Sequence, residues 1–146
     1  MTAERSGDTC AASDASGSCP SAIVIDDSGV ERLLAAAMLQ KLGFHAQTAS
    51  DAQAALAMVA GRRYALALCD ISLPGTDGLT LLVAMRSLDV KLSCVMLSSH
   101  DDAAYKAEAL QRGAAAYLIK PLRLELLAET LRGMFPEMGG MMGNGG

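Results

Sequence analysis

The chain has 146 residues, enough for one domain of ordinary size, and a formal net charge of −4 at neutral pH. Hydrophobic residues make up 51% of it and aromatic residues only 3%, so the core is expected to be mainly aliphatic. The acidic balance argues against a general nucleic-acid binder, which would normally carry a basic stripe. No apolar run approaches a membrane span, and the first twenty residues lack the apolar centre of a secretory signal. We therefore expect no direct DNA binding, no membrane association and a cytoplasmic location.

The composition divides the chain into three parts. Residues 1–20 are small, polar and aperiodic, and we predict that they form a disordered tail. Residues 21–134 alternate strand-like and helix-like patterns and are predicted to form the folded domain. Residues 135–146 are rich in Gly and Met, have no period, and are predicted to be flexible.

The four cysteines do not indicate a metal or disulfide site. Cys10 and Cys19 lie in the first tail, too far apart for a CxxC site. Cys69 and Cys94 fall inside apolar strand-like runs, where a thiol behaves as a small hydrophobe.

Five strand-like runs alternate with five helical patterns. The predicted strands are Ala22–Ile25, Phe44–Thr48, Tyr64–Cys69, Leu92–Leu97 and Ala115–Ile119. The predicted helices are Val30–Lys41, a segment from Ser50 to about Ala60, Leu79–Ser87, Asp101–Arg112 and one that follows Pro121. Strands joined by helices run parallel, so the pattern predicts an α/β fold with helices on both faces of one sheet.

Local signals support several element boundaries. Ser28 and Glu31 have capping-box spacing, Ser50 is a similar candidate cap, and Gly43 is placed to end the first helix. Turn dipeptides predict a loop over Asp70–Gly78. The predicted buried stripe of the first helix is Leu33, Leu34, Ala37, Met38 and Leu42. The apolar positions of the last helix include Leu124, Leu127, Leu131 and Met134.

Polar residues follow four of the predicted strands. Asp26 and Asp27 come after the first, Asp70 after the third, Ser98 after the fourth and Lys120 after the fifth. In an open parallel sheet, ligands bind outside the carboxyl ends of the strands. We therefore expect three carboxylates, a hydroxyl and an ammonium to converge at one edge.

This set of groups is suited to phosphoryl chemistry. Carboxylates so close together need a cation, and a hard oxygen site with few protein ligands suits Mg²⁺ or Mn²⁺. Asp70 is the predicted nucleophile, because its loop is expected to be flexible and Gly-rich, and it would form an aspartyl phosphate. Asp26 and Asp27 would hold the metal, while Lys120 and Ser98 would stabilise the phosphoryl oxygens.

From about Ser21 to Met134 the chain resembles the receiver domain of bacterial two-component response regulators, of the chemotaxis-regulator type. The matching segments are Val24–Asp27, Leu68–Gly78, Val95–Ser99 and Gly113–Pro121. The resemblance implies a flavodoxin-like (βα)5 three-layer sandwich, with a five-stranded parallel sheet in the order 2-1-3-4-5.

The resemblance also implies a role for each residue at the predicted edge. Asp70 would be the phosphoacceptor and would also face the metal. Asp27 would be a direct Mg²⁺ ligand and Asp26 would act through water, with the backbone carbonyl of Ser72 completing the protein ligands. Lys120 would contact the phosphoryl group.

A switch pair is implied as well, with some departures from the family pattern. The Ser98 hydroxyl would move toward the phosphate, and the Tyr117 ring would follow inward. Ser98 stands where Thr is more usual, so the switch would be less sharply biased, and Ser99 replaces a small apolar residue. Ser72 and His100 occupy positions that border the phosphoryl group in the family and influence its hydrolysis.

These observations predict a single-domain response regulator in a phosphorelay. It would accept a phosphoryl group from a phosphohistidine of a sensor histidine kinase or a histidine phosphotransfer protein. The fourth helix, fifth strand and fifth helix would then change their surface toward an unknown protein partner, since only about a dozen residues follow the last helix. Its only catalysis would be Mg²⁺-dependent self-phosphorylation and autodephosphorylation.

Two other classes use related folds or chemistry. Haloacid-dehalogenase-like phosphatases also form an aspartyl phosphate, but Asp26-Asp27-Ser28 lacks their DxDx(T/V) spacing. Flavodoxins need a hydroxyl- and Gly-rich phosphate loop after the first strand, where this chain has acids.

Overall fold

The computed structural model describes residues 20–136. Its strands are β1 Ser21–Ile25, β2 His45–Ala49, β3 Leu66–Asp70, β4 Ser72–Leu73, β5 Thr76–Asp77, β6 Ser93–Ser98 and β7 Ala116–Ile119. Its helices are α1 Gly29–Lys41, α2 Ala52–Gly61, α3 Gly78–Leu88, α4 Ala103–Gln111 and α5 Leu124–Met134. Nearly all of both predicted tails, with Cys10 and Cys19, lies outside the described residues.

Five of the strands form one parallel sheet in the order β2-β1-β3-β6-β7. These are the five predicted strands, so the implied order 2-1-3-4-5 and the flavodoxin-like fold are confirmed. The short strands β4 and β5 form a separate antiparallel pair inside the segment predicted as a loop. Among residues 20–136, no helix has the length and apolar character needed to cross a membrane.

The sheet separates two apolar clusters, which makes the fold a three-layer sandwich. One cluster joins the sheet to α1 and α5, and the other joins it to α2, α3 and α4. The side chains of β1 alternate between them, with Ile23 and Ile25 in the second cluster and Val24 in the first. The apolar run of β3 is buried throughout, as expected for a strand covered on both faces.

The predicted inward face of α1 is wrong at three of its five positions. Leu33, Leu34 and Ala37 are exposed, whereas Leu42 is buried and Met38 is half-buried. The helix packs on the sheet mainly through three other residues: Ala35, Ala36 and Leu39. Hydropathy favours leucine over alanine for burial, but hydropathy alone does not set which face of α1 meets the sheet. In α5 the prediction is confirmed, since Leu127 and Leu131 are fully buried.

Two boundary corrections change the description of the polar edge. Asp70 is the last residue of β3 and Ser98 the last residue of β6, so both side chains are carried by strand backbone. The expectation that Asp70 lies in a flexible loop is therefore wrong. Parallel pairing extends through both residues, with Asp70 opposite Leu97 and Ser98 opposite Ile119.

The structure confirms one of the two predicted helix-capping residues, Ser28, and corrects the other, Ser50. Asp51, not Ser50, caps α2, and α4 begins after the capping residue Asp102. Ser28 caps α1 by accepting from the Glu31 N–H at 3.3 Å, which confirms half of the capping box. The other half is wrong, because the Ser28 N–H donates to Asp26. Gly43 follows α1 with a φ of 100°, a conformation that favours glycine.

Candidate functional site

Three carboxylates meet at the carboxyl edge of the sheet, as predicted. Asp26, Asp27 and Asp70 each offer an oxygen, and these oxygens lie within 4.8 Å of one another. Asp26 and Asp70 are buried, whereas Asp27 is exposed. Backbone N–H groups orient the two buried groups: Ser28 donates to Asp26 Oδ1 at 2.9 Å, and Ser72 donates to Asp70 Oδ1 at 2.9 Å.

Lys120 brings a positive charge into this cluster from the end of β7. Its backbone N–H donates to the Ser98 carbonyl at 2.8 Å, which anchors the residue to β6, and a cis peptide bond joins it to Pro121. Its Nζ lies 3.0 Å from Asp26 Oδ2 and 3.1 Å from Asp70 Oδ2. The ammonium thus bridges the two buried carboxylates.

Lys120 also contacts a fourth carboxylate, which the sequence did not indicate as part of the site. Glu31, in the first turn of α1, forms an ion pair with the Lys120 ammonium. Its spacing from Ser28 was interpreted as a capping box, which accounts for a Glu at that position without any ligand. One feature of the sequence could have indicated Glu31 as a site residue. It lies in the first turn of the helix that follows Asp26 and Asp27, and that turn lies at the same edge of the sheet.

The environment shifts the pKa values of two groups in the cluster. Burial raises the pKa of the Asp70 carboxyl above its ordinary value, and the Ser72 N–H and Lys120 oppose this only in part. Burial alone would lower the pKa of Lys120, but hydrogen bonds to Glu31, Asp26 and Asp70 outweigh it and raise that pKa. Lys120 is therefore an ammonium throughout the neutral range.

The donor set fits a hard divalent cation. It consists of carboxylate oxygens within one ion's reach, and among residues 20–136 neither His nor Cys contributes to the cluster. Cys69 lies in β3 beside Asp70, yet burial raises the pKa of its thiol, and burial raises the pKa of Cys94 to about 12. Both are free, buried and protonated at neutral pH, so they behave as the small hydrophobes predicted.

The predicted switch residues lie on the β6–β7 side of the site. The buried Ser98 hydroxyl donates to the His100 carbonyl at 3.0 Å and accepts from the His100 N–H at 3.0 Å. The Tyr117 ring is buried in the cluster that faces α4, and its hydroxyl has no hydrogen-bond partner within residues 20–136. The His100 side chain is exposed, so this residue contacts Ser98 through its backbone.

The short β4–β5 hairpin positions the remaining predicted residue. Ser72 pairs with Asp77 across the hairpin, and its side chain is exposed. Asp77 accepts from the Tyr105 hydroxyl of α4 at 2.7 Å, which links α4 to the segment after β3. The structure thus places the Ser72 backbone beside Asp70, while the role of its carbonyl stays a prediction.

Comparison with known proteins identifies a family for most of the chain. The family model described as the response regulator receiver domain matches residues 22–132. A two-component response regulator of Arabidopsis thaliana, ARR10, is 32% identical over 107 residues, which are 72% of this chain and 19% of that protein. The sensor histidine kinase RcsC of Salmonella typhimurium is 32% identical over 109 residues, or 75% of this chain and 12% of the kinase. The chain therefore spans a quarter or less of these curated relatives.

Solved structures agree on the fold. A CheY-like response regulator receiver domain protein from Methanospirillum hungatei superposes with a TM-score of 0.77 at 25% identity, covering 84% of this chain and 98% of the other. The chemotaxis protein CheY4 of Vibrio cholerae superposes with a TM-score of 0.74 at 28% identity, covering 80% and 98%. Both are matched over nearly their whole length.

Proposed function

The chain belongs to the family of response regulator receiver domains, and from this we propose that Asp70 accepts a phosphoryl group in a phosphorelay. The observation that carries the proposal is the placement of the Asp70 carboxylate. It ends a central strand, lies among two further carboxylates, and contacts the Lys120 ammonium at 3.1 Å. A nucleophile, a cation and a potential metal site are thus adjacent.

The proposed step is a transfer between two protein side chains. An Asp70 carboxylate oxygen forms a bond to phosphorus, while the P–N bond of a phosphohistidine breaks and its electron pair stays on the imidazole nitrogen. The product is an acyl phosphate, whose hydrolysis returns the carboxylate and inorganic phosphate. Lys120 stabilises charge on the transferred oxygens, which is the main help that protein groups give to phosphoryl transfer.

A divalent cation completes the proposed site. Receiver domains generally bind Mg²⁺ at an acidic cluster, and Asp26, Asp27 and Asp70 form such a cluster here. We assign the protein ligands to Asp27, Asp70 and the Ser72 carbonyl, with Asp26 acting through water; Mn²⁺ suits the same oxygen donors. When bound, the ion offsets the repulsion among the carboxylates and the phosphoryl oxygens.

The switch assignment rests on the hydroxyl groups of β6 and β7. Ser98 can turn to the phosphoryl group only by exchanging its hydrogen bonds with the His100 backbone. Ser98 lies two residues beyond Met96, which pairs with Tyr117, so the side chains of Ser98 and Tyr117 are on the same face of the sheet. The Tyr117 ring is already buried. We propose that this pair transmits phosphorylation to the α4–β7–α5 surface. His100 and Ser72 border the site and are proposed to tune the lifetime of the phosphoryl group.

The partners follow from the chemistry and the relatives. A phosphohistidine on a sensor histidine kinase or a histidine phosphotransfer protein is the proposed donor, and relatives include both response regulators and a sensor histidine kinase. We propose that this receiver domain acts in the cytoplasm and that its output is contact with another protein, not with DNA. We propose that the protein catalyses only its own Mg²⁺-dependent phosphorylation and dephosphorylation.

The Asp70→Asn variant tests the proposal. Wild-type protein incubated with acetyl phosphate and Mg²⁺ is expected to gain one phosphoryl group by intact mass, and the variant none, because an amide is not a nucleophile toward phosphorus. Asp101→Asn is the matched control, since it makes the same change at an exposed carboxylate in the loop after β6. Equal labelling of the Asp70 variant and the wild type would overturn the assignment.

A further inference from the structure

The Lys120 ammonium is fully engaged before any phosphoryl group arrives. An ammonium has three N–H donors, and three carboxylates surround it: Asp26, Asp70 and Glu31. A phosphoryl oxygen on Asp70 therefore gains a direct contact with Lys120 only if one of these carboxylates gives up its place.

The three contacts differ in how firmly each carboxylate is held. The side chains of Asp26 and Asp70 are 3% and 10% exposed, and each accepts a second hydrogen bond from a backbone N–H. The Glu31 side chain is 51% exposed, and Lys120 is its only hydrogen-bond partner within residues 20–136. Of the two carboxylates that are not themselves phosphorylated, Asp26 and Glu31, Glu31 is therefore the contact that can be exchanged at the lower free-energy cost.

There is room for Glu31 to leave. Glu31 and Lys120 both line a cavity of about 110 Å³ between α1 and the segment that follows β7. The long, exposed Glu side chain can turn toward solvent without moving α1, whereas Asp26 and Asp70 are held by short side chains at strand ends.

We propose that Glu31 is a positioning and specificity-determining residue that occupies Lys120 in the unphosphorylated protein and competes with the incoming phosphoryl group. This inference rests on the proposed function of Asp70. Glu31 holds the ammonium between Asp26 and Asp70, and its negative charge lies where an anionic phosphodonor must approach. It thus slows acceptance of the phosphoryl group and disfavours donors with higher negative charge.

The test compares Glu31→Gln with wild-type protein in the presence of Mg²⁺. Because the chain has no Trp, phosphorylation is followed by intact mass. The rate constant with acetyl phosphate, a dianion, is expected to rise on the order of three- to fivefold, the size expected for losing one partly exposed ion pair. The rise with phosphoramidate, which carries less negative charge, is expected to be smaller. Both gains are expected to shrink at high ionic strength, because salt screens the Glu31 charge.

Glu125→Gln is the matched control, since it removes an exposed carboxylate from the first turn of α5 and has the same effect on the helix dipole. It is expected to leave all rates unchanged. Glu31→Ala provides a second variant that also removes the carboxylate.

An equilibrium measurement tests whether Glu31 competes with the phosphoryl group for Lys120, because it involves no phosphodonor. Beryllofluoride, a phosphoryl mimic, is expected to bind both Glu31 variants about three- to fivefold more tightly than wild type, as measured by fluorine NMR.

The outcomes are distinct from those that test Asp70. If wild-type protein is labelled and both Glu31 variants react no faster, or gain equally with both donors, the role of Glu31 is overturned. If wild-type protein is not labelled, or Asp70→Asn is labelled equally, the proposed function itself fails, and the inference about Glu31 fails with it.

Discussion

The site has two halves that differ in how completely their polar groups are paired. The ionic half consists of Asp26, Glu31, Asp70 and Lys120, and the hydroxyl half consists of Ser98 and Tyr117 with the His100 backbone. In the ionic half every buried carboxylate has both a cationic and a backbone partner. In the hydroxyl half one buried group, the Tyr117 hydroxyl, has no partner within residues 20–136.

The difference indicates which half is preorganised and which can rearrange. The buried ion pairs with Asp26 and Asp70 hold the Lys120 ammonium in place, as a group that must stabilise phosphoryl oxygens requires. A buried hydroxyl without a partner carries a free-energy penalty in its present position. A rearrangement that gives the Tyr117 hydroxyl a hydrogen-bond partner therefore costs less free energy. A small free-energy difference between two arrangements is what a two-state element needs.

The largest effect is expected from removing the cation of the ionic half. Lys120→Gln is predicted to lower the rate of phosphorylation by acetyl phosphate about 100-fold, because the transferred oxygens lose a preorganised charge. Rates measured by intact mass check this. Lys91→Gln, at an exposed lysine before β6, is the control and should react like wild type. A Lys120 variant within threefold of the wild-type rate would show that the ionic half is not needed for the transfer.

The next effect concerns stability in the hydroxyl half. Tyr117→Phe is predicted to raise the free energy of unfolding by about 1 kcal/mol, since it removes a buried hydroxyl that has no partner. Urea denaturation measures it. Tyr64→Phe is the matched control and is expected to lower the free energy of unfolding, because the buried Tyr64 hydroxyl donates to Gln47 Oε1 at 2.6 Å. A loss of stability in Tyr117→Phe equal to that in Tyr64→Phe would contradict the contrast between the halves.

The smallest effect is the dependence of stability on pH. The pKa of Asp70 is raised in the folded protein, mainly by burial, so its ionisation opposes folding. The folded protein favours the protonated Asp70 carboxyl. The resulting gain in stability is fully present below the unfolded-state pKa of 3.8 and is lost as pH rises through the folded-state pKa.

In a metal-free buffer, Asp70→Asn is therefore predicted to be more stable than wild type at pH 7, by up to roughly 1 kcal/mol. The difference should shrink as pH falls toward 3.8, which thermal denaturation at several pH values measures. A difference that grows on acidification would mean that Lys120 outweighs burial at this carboxyl.

The polar edge was predictable because its members are tied to strand ends. Asp26, Asp70, Ser98 and Lys120 each follow or end an apolar run, and the carboxyl ends of parallel strands meet at one edge. The inward face of α1 was not predictable in the same way. Its exposed leucines are as apolar as its buried ones, so hydropathy alone does not determine the rotation of the helix on the sheet.

The sequence by itself determined the fold, the strand order through the family resemblance, and the carboxylates that converge. These depend on patterns that repeat along the chain and on the geometry of parallel strands. Only the tertiary structure decided the ion pair of Glu31, the hydrogen bonds of Ser98 and the missing partner of Tyr117. Hydrogen bonds act over about 3 Å, and Glu31 meets a lysine 89 residues away in the chain, so no local pattern encodes the contact.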